Sequence, residues 1–117
     1  MFLGIEIGGT KLQLGVGTGK GGVLEARERT EVDKTKGADG IRRQIVQIAP
    51  ALIQKYGVHT IGIGFGGPVN ATGGHTIRSF QIDGWGNFPL SEWSRKTLGL
   101  PTFIENDSNL AEIGRAH

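Results

Sequence analysis

The chain has 117 residues, 37% of them apolar, with 13 basic against 11 acidic side chains and a formal charge of +2. That length suits one compact domain, and so small a charge surplus makes no demand for nucleic acid or a membrane surface as partner. Cysteine is absent, which excludes disulfides and thiolate metal centres. No run reaches the ~20 apolar residues of a membrane span, and the apolar start carries Glu6 without a basic leader, so a soluble cytoplasmic protein is expected. Glycine stands out at 21 residues without any collagen-like period, which points to tight turns and close backbone approach.

In chain order, Phe2 to Ile7 reads as a first strand. Lys11 to Gly17 reads as a second, with alternating Leu12, Leu14 and Val16. Gly19, Gly21 and Gly22 predict a turn, and Val23 to Val32 a third strand, polar on one face and therefore expected at a sheet edge or half exposed. Asp33 to Gly37 reads as loop. Asp39 is the expected N-cap of a helix running to Tyr56. Ile41, Ile45, Ile48, Leu52 and Tyr56 form its apolar stripe. Pro50 is expected to kink that helix by removing a donor, and Gly57 to end it.

Thr60 to Phe65 reads as a central fourth strand, stopped by Gly66-Gly67-Pro68. The stretch from Asn70 to Gly86 is turn-rich, with a short strand expected near Thr76 to Arg78. Pro89 to Leu98 predicts a short helix, with Pro89 at its first position and Gly99 at its end. Thr102 to Glu105 reads as a fifth strand, after which Asn106 or Asp107 opens a last helix with Leu110 and Ile113 on its buried side. Strands joined by tight turns pair antiparallel, and those joined through helices pair parallel. The expected fold class is therefore α/β: a five-stranded mixed sheet with flanking helices, the ribonuclease-H-like arrangement.

Three groups of residues carry chemical signals. Gly4-Ile5-Glu6-Ile7-Gly8-Gly9-Thr10-Lys11 is a strand with one acid, broken by a double glycine. Such a tip offers backbone N–H groups with no side chains in a phosphate's way. Glu6 is costly if buried unpaired, so it is expected to face a cleft, where it suits a phosphate-bound Mg²⁺. Thr10 can donate its hydroxyl; Lys11 is as readily a solvated lysine as a phosphate contact. Gly15 to Gly21 imitates a P-loop, but Gly21 follows Lys20 where Ser or Thr is required, and no helix follows; it reads as a surface turn.

Asn106-Asp107 ends a strand at the carboxyl edge of the sheet, where α/β proteins place ligands. Helix capping needs only one of the pair, which leaves the other for a sugar hydroxyl. Gly66-Gly67 lets a ring-shaped ligand lie on bare backbone, while Gly62 and Gly64 read as packing sites. The loop through Phe80, Gln81, Asp83 and Trp85 could line a sugar site, although Trp85 and Phe88 read first as core anchors. His59, His75 and His117 share no ligand spacing.

Taken in order, several motifs resemble the ROK family of sugar kinases and regulators within the actin-like ATPase superfamily. They are the 4–11 segment, Gly62-Ile63-Gly64-Phe65-Gly66-Gly67-Pro68-Val69, Gly84-Trp85 with Phe88-Pro89-Leu90, and Leu98-Gly99-Leu100-Pro101 leading to Glu105-Asn106-Asp107-Ser108-Asn109-Leu110-Ala111. The resemblance implies that Gly8, Gly9, Thr10 and Lys11 meet the phosphates of ATP. It implies that Asp107 is the catalytic base and that Asn106, Gly67 and Asp107 touch the sugar. Glu6 would hold Mg²⁺, directly or through water, where the family usually has Asp. Phe80-Gln81 stands where the family often has Pro-Asn, which bears on substrate preference.

Family kinases are longer, with a second lobe after the Asn-Asp helix, so residues 1–117 are expected to be the N-terminal lobe of a glucokinase-like enzyme, inactive alone. A sugar-sensing regulator of the same family is the first alternative; its helix-turn-helix has no room ahead of a strand starting at Phe2. A non-catalytic actin-like nucleotide-binding module is the second. The identity of the sugar, ATP against polyphosphate as donor, and a homodimer of the full-length protein stay open at this point.

Overall fold

The structure is a computed structural model and describes residues 1–18, 24–79 and 81–106. Its elements are β1 (Phe2–Ile7), β2 (Lys11–Gly17), β3 (Leu24–Glu31), α1 (Gly37–Tyr56), β4 (Thr60–Phe65), β5 (Val69–Asn70), β6 (His75–Thr76), α2 (Leu90–Leu98) and β7 (Thr102–Asn106). Five strands form one sheet in the order β3-β2-β1-β4-β7, and β5 and β6 form a separate antiparallel pair. β1 pairs antiparallel with β2 and parallel with β4, and β4 pairs parallel with β7. The mixed sheet, the inner place of β4 and the edge place of β3 are all as the residue patterns predict.

The strand period of two sorts the side chains onto two faces. Leu3, Ile5 and Ile7 of β1, Leu12, Leu14 and Val16 of β2, and Ile61, Ile63 and Phe65 of β4 are buried. They join one core with Ala38, Ile41, Ile45, Ala49 and Leu52 of α1 and Leu90 of α2. Each such Leu or Ile contributes about 1.5–3 kcal/mol through the water it leaves behind, so this single cluster carries the stability of the domain. The intervening residues, Gly4 and Glu6 of β1 and Gly62 and Gly64 of β4, belong to the opposite face. β3 is exposed along most of its length and places Glu25, Arg27, Glu28, Arg29 and Glu31 on the free edge strand.

Several boundaries differ from the sequence reading. The long helix starts at Gly37, so Asp39 lies in its first turn, bonded at 2.9 Å to Arg43, and caps nothing. The capping work is done elsewhere. Asp33 caps a 3₁₀ turn over Lys34–Lys36, inside the predicted loop, by accepting from the Thr35 N–H at 3.0 Å and the Thr35 hydroxyl at 2.6 Å. The Ala38 N–H, in the first turn of α1, donates to the Asp83 carbonyl at 2.8 Å. The helix runs on through Pro50. The carbonyl that Pro50 deprives of a partner is that of Val46, an exposed residue that water can serve. Gly57 ends α1 in the left-handed conformation (φ 64°), its N–H bonded to the Ile53 carbonyl, as predicted.

Pro89 is the boundary residue of α2 and not its first helical one; its carbonyl accepts from Trp93 at 2.9 Å. The short strand expected near Thr76 to Arg78 is found at His75–Thr76, paired with Val69–Asn70. β7 extends to Asn106, one residue beyond the predicted Glu105, and Asn106 pairs with Phe65. The predicted glycine turn at Gly19, Gly21 and Gly22 and the last helix with Leu110 and Ile113 lie outside the described residues. α2 is tied to β7 by buried hydroxyls: Ser91 Oγ donates to the Thr102 carbonyl at 2.6 Å, and Ser94 Oγ meets Thr102 Oγ1 at 2.8 Å.

The hydrogen bonds from Thr35, first its hydroxyl and then its N–H, hold the Asp33 carboxyl below its ordinary 3.8. A carboxylate with a depressed folded-state pKa stabilises above its ordinary value and loses that contribution as pH falls through the lowered one. Asp33→Ala is therefore expected to lower the thermal unfolding midpoint at pH 7. The deficit should vanish in acid below the folded-state pKa. Midpoints of wild type and variant across pH 2–7 check this.

Candidate functional site

Because β1, β4 and β7 are adjacent and parallel, their carboxyl ends open on one rim of the sheet. Ile7, Phe65 and Asn106 form one cross-strand row at that rim. A 2.8 Å bond from the Gly66 N–H to the Ile7 carbonyl locks the two glycine-bearing ends together. Gly8-Gly9, Gly66-Gly67 and Asn106 are thus brought to one place. Asp107 lies outside the described residues and follows Asn106 directly in the chain.

The hairpin after β1 is closed by a 3.0 Å bond from the Gly8 N–H to the Lys11 carbonyl. That commits the Gly8 donor; among the described residues no partner takes the N–H of Gly9 or Thr10. Lys11 does not reach over the hairpin: its Nζ is ion-paired at 3.2 Å with Glu31 of the neighbouring edge strand. Glu6 is exposed and sits in a row with Gln13 on one side and Gly64 and then Glu105 on the other. Its carboxylate therefore stands over bare backbone on the face opposite the core.

Gly67 is required by contact. A Cβ there would lie 2.7 Å from the Arg78 carbonyl oxygen and 3.0 Å from the Phe65 ring, both of which are fixed. Gly9 differs, because the atoms nearest a Cβ there belong to the Gln81 side chain. Gly67→Ala is expected to destabilise the domain by about 1–3 kcal/mol, the usual cost of forcing a methyl into packed surroundings. Gly9→Ala should cost less, because the Gln81 side chain can swing aside. Chemical denaturation of the two variants side by side checks the order.

The segment from Thr76 to Phe88 closes over this rim. The buried Thr76 hydroxyl donates to the Trp85 carbonyl and accepts from the Phe88 N–H at 3.2 Å. Phe65, Trp85 and Phe88 meet edge to face, with centroids 5.3 and 5.6 Å apart. The Arg42 guanidinium of α1 covers the far side, 4.2 Å from the Phe88 ring and 5.3 Å from that of Trp85. Burial pushes Arg42 below its ordinary pKa, with the Asp39 carboxylate opposing. Trp85 and Phe88 are the core anchors that the sequence indicated. Thr76 and Arg42 were missed: a lone threonine has no signature, while Arg42 flanks the Ile41 stripe at a spacing that could have flagged it.

A small cavity of about 60 Å³ lies between the hairpin and this segment, lined by Ile7, Gly8, Gly9, Phe65, Gly66, Ser79, Gln81 and Trp85. Phe80 lies outside the described residues. Among the described residues there is no cluster of three or more metal-ligating side chains. His59 Nδ1 accepts from the N-terminal ammonium at 3.0 Å, a structural contact, and His117 lies outside the described residues.

The sheet order, the glycine hairpin and the shared rim define an actin-like, ribonuclease-H-like domain. The chain belongs to the ROK family, whose sequence model matches residues 2–117. It is 29% identical over 121 residues to a glucokinase of Halalkalibacterium halodurans, covering 97% of this chain and 35% of that protein. It is 32% identical over 106 residues to a beta-glucoside kinase of Listeria monocytogenes, covering 91% of this chain and 34% of that one. Among solved structures, the ROK family glucokinase from Streptomyces griseus in complex with glucose and AMPPNP superposes with a TM-score of 0.80 at 28% identity, over 92% of this chain and 33% of that one. The chain thus spans about a third of the length of the relatives it matches.

Proposed function

We infer that this chain is the N-terminal lobe of a sugar kinase that moves the terminal phosphoryl group of ATP onto a hexose hydroxyl, the second lobe lying beyond residue 117. The observation that carries this reading is the common rim, where one loop can hold a donor's phosphates while the next strand ends beside the acceptor. Glucose and AMPPNP bound together to the Streptomyces griseus relative support a hexose acceptor and an ATP-type donor. Two of the kinase names among the relatives, glucokinase and beta-glucoside kinase, share a glucose-like ring, while a third, a putative fructokinase of Bacillus subtilis, widens the acceptor class to hexoses in general.

In this reading Gly8 to Lys11 receive the donor phosphates, chiefly through the free N–H groups of Gly9 and Thr10 and the Thr10 hydroxyl. Gly67 and Asn106 line the sugar. Asp107 orients the attacking hydroxyl and accepts its proton. Phosphoryl transfer asks the protein mainly for position and charge stabilisation, so Asp107 needs no unusual pKa. Mg²⁺ binds through one or two carboxylates together with substrate phosphates. Glu6, exposed over Gly64 with Glu105 across the strand, fits that requirement with one methylene more than the family's Asp. When bound, the ion would neutralise charge on the donor's phosphates. One lobe supplies one wall of a cleft that must orient two substrates and exclude water, so this chain alone is expected to be a poor catalyst.

The test is a coupled assay for ADP formation with the full-length protein, ATP and a panel of hexoses and glucosides. Asp107→Asn is expected to lower kcat by about 10²–10⁴-fold, the usual contribution of a positioned base. Sugar affinity measured by calorimetry should change little. Turnover retained by the variant overturns the assignment of Asp107.

A further inference from the structure

The contact between Gln81 and Gly9 is not accounted for by the core or by the sugar-binding residues above. A Cβ built on Gly9 would fall 1.6 Å from Gln81 Oε1 and 2.4 Å from its carboxamide carbon. The Gln81 carboxamide therefore lies against the Gly9 α-carbon with its oxygen nearest the glycine, and its NH2 group is the part left to donate to a ligand. We propose that Gln81 is a positioning residue for the donor: its amide donates to the terminal phosphate held at this hairpin and couples the acceptor-side loop to the donor side. The proposal rests on the kinase reading.

The placement of Gln81 is built into the backbone around it. Ser79 Oγ accepts from the Gln81 N–H at 3.2 Å and from the Ile82 N–H at 3.1 Å, a local turn that fixes where the side chain starts. The Ile82 and Trp85 side chains that follow are buried. The Asp83 carbonyl is held by the Ala38 N–H, and the Trp85 carbonyl by Thr76. The carboxamide itself is on an exposed residue, so it can turn toward a ligand with little desolvation cost. Its chemistry suits the task. The hairpin's own cation, Lys11, is ion-paired with Glu31, and the Gly8 N–H donates to the Lys11 carbonyl. A neutral amide N–H then adds a donor to an anion without adding another buried charge.

Two variants test this in the full-length protein. Gln81→Ala removes the amide, and Gln81→Asn keeps it but shortens its reach by one methylene. Wild-type turnover of ATP with sugar is measured first and reports on the kinase reading alone. Both variants are then expected to raise KM for ATP or lower kcat by about ten- to a hundred-fold, as for one lost hydrogen bond to a charged group. Their affinity for sugar without nucleotide should stay within about twofold of wild type, and their unfolding midpoints should match it. Calorimetry with Mg-AMPPNP reads donor affinity even if no sugar is turned over. A wild type that binds AMPPNP more tightly than both variants supports the proposal although the kinase reading fails. Unchanged donor parameters, a change confined to sugar affinity, or a wild type that binds no AMPPNP each overturn the proposal.

Discussion

The register between three parallel strands is the constraint on which the rest of the structure depends. Parallel pairing of β1, β4 and β7 sends three chain segments out of the sheet in one direction. Everything of chemical interest is then a matter of what each segment carries as it leaves. Ile7 and Phe65 are the last residues anchored in the core, and the residues just past them are glycines. A one-residue slip of β1 against β4 would turn Glu6 into the core and bring a buried isoleucine to the surface. The Gly66-to-Ile7 bond continues the ladder one step beyond the strands, so the rim is as rigid as the sheet itself.

Upon that rim sits a segment with almost no regular structure that is nonetheless held firmly. Between Thr76 and Phe88 the chain makes no long strand or helix. Its backbone polar groups are satisfied one at a time by a threonine hydroxyl, a serine hydroxyl and the first turn of α1. Arg42 adds a flat cation over two rings, an arrangement favoured by the negative face of the aromatic system. The link from α1 through Arg42 and the Asp83 carbonyl means that the long helix positions the loop as well as covering the sheet.

Most of the architecture could be read from residue pattern because the elements are strongly periodic. Leu12, Leu14 and Val16 could only alternate, and Gly57 could only end a helix. Boundaries failed where a distant group supplied what a local residue was expected to supply. Asp39 looked like a cap, but the Asp83 carbonyl, 45 positions on, had already met the Ala38 donor. The fifth strand looked as if it ended at Glu105, but pairing with Phe65 carried it on to Asn106. At the rim, the glycine pairs and the acid were legible because a missing side chain is visible in sequence. The commitments of the Gly8 N–H and of Lys11 were not, since both depend on how a turn closes and on which residue of β3 lies opposite. Gln81 was legible as a polar loop residue, and its contact with Gly9 only in three dimensions.

The edge strand has a separate consequence for the life of the protein in a crowded solution. β3 ends the sheet as an edge strand, the position from which fibrils and runaway strand exchange begin, and one of its carbonyls, that of Glu31, accepts from Gln44 Nε2 at 3.0 Å. Five charged residues of alternating sign along it would have to be stripped of water before another chain could dock there. That cost sets a barrier to another strand's docking on this margin of the sheet.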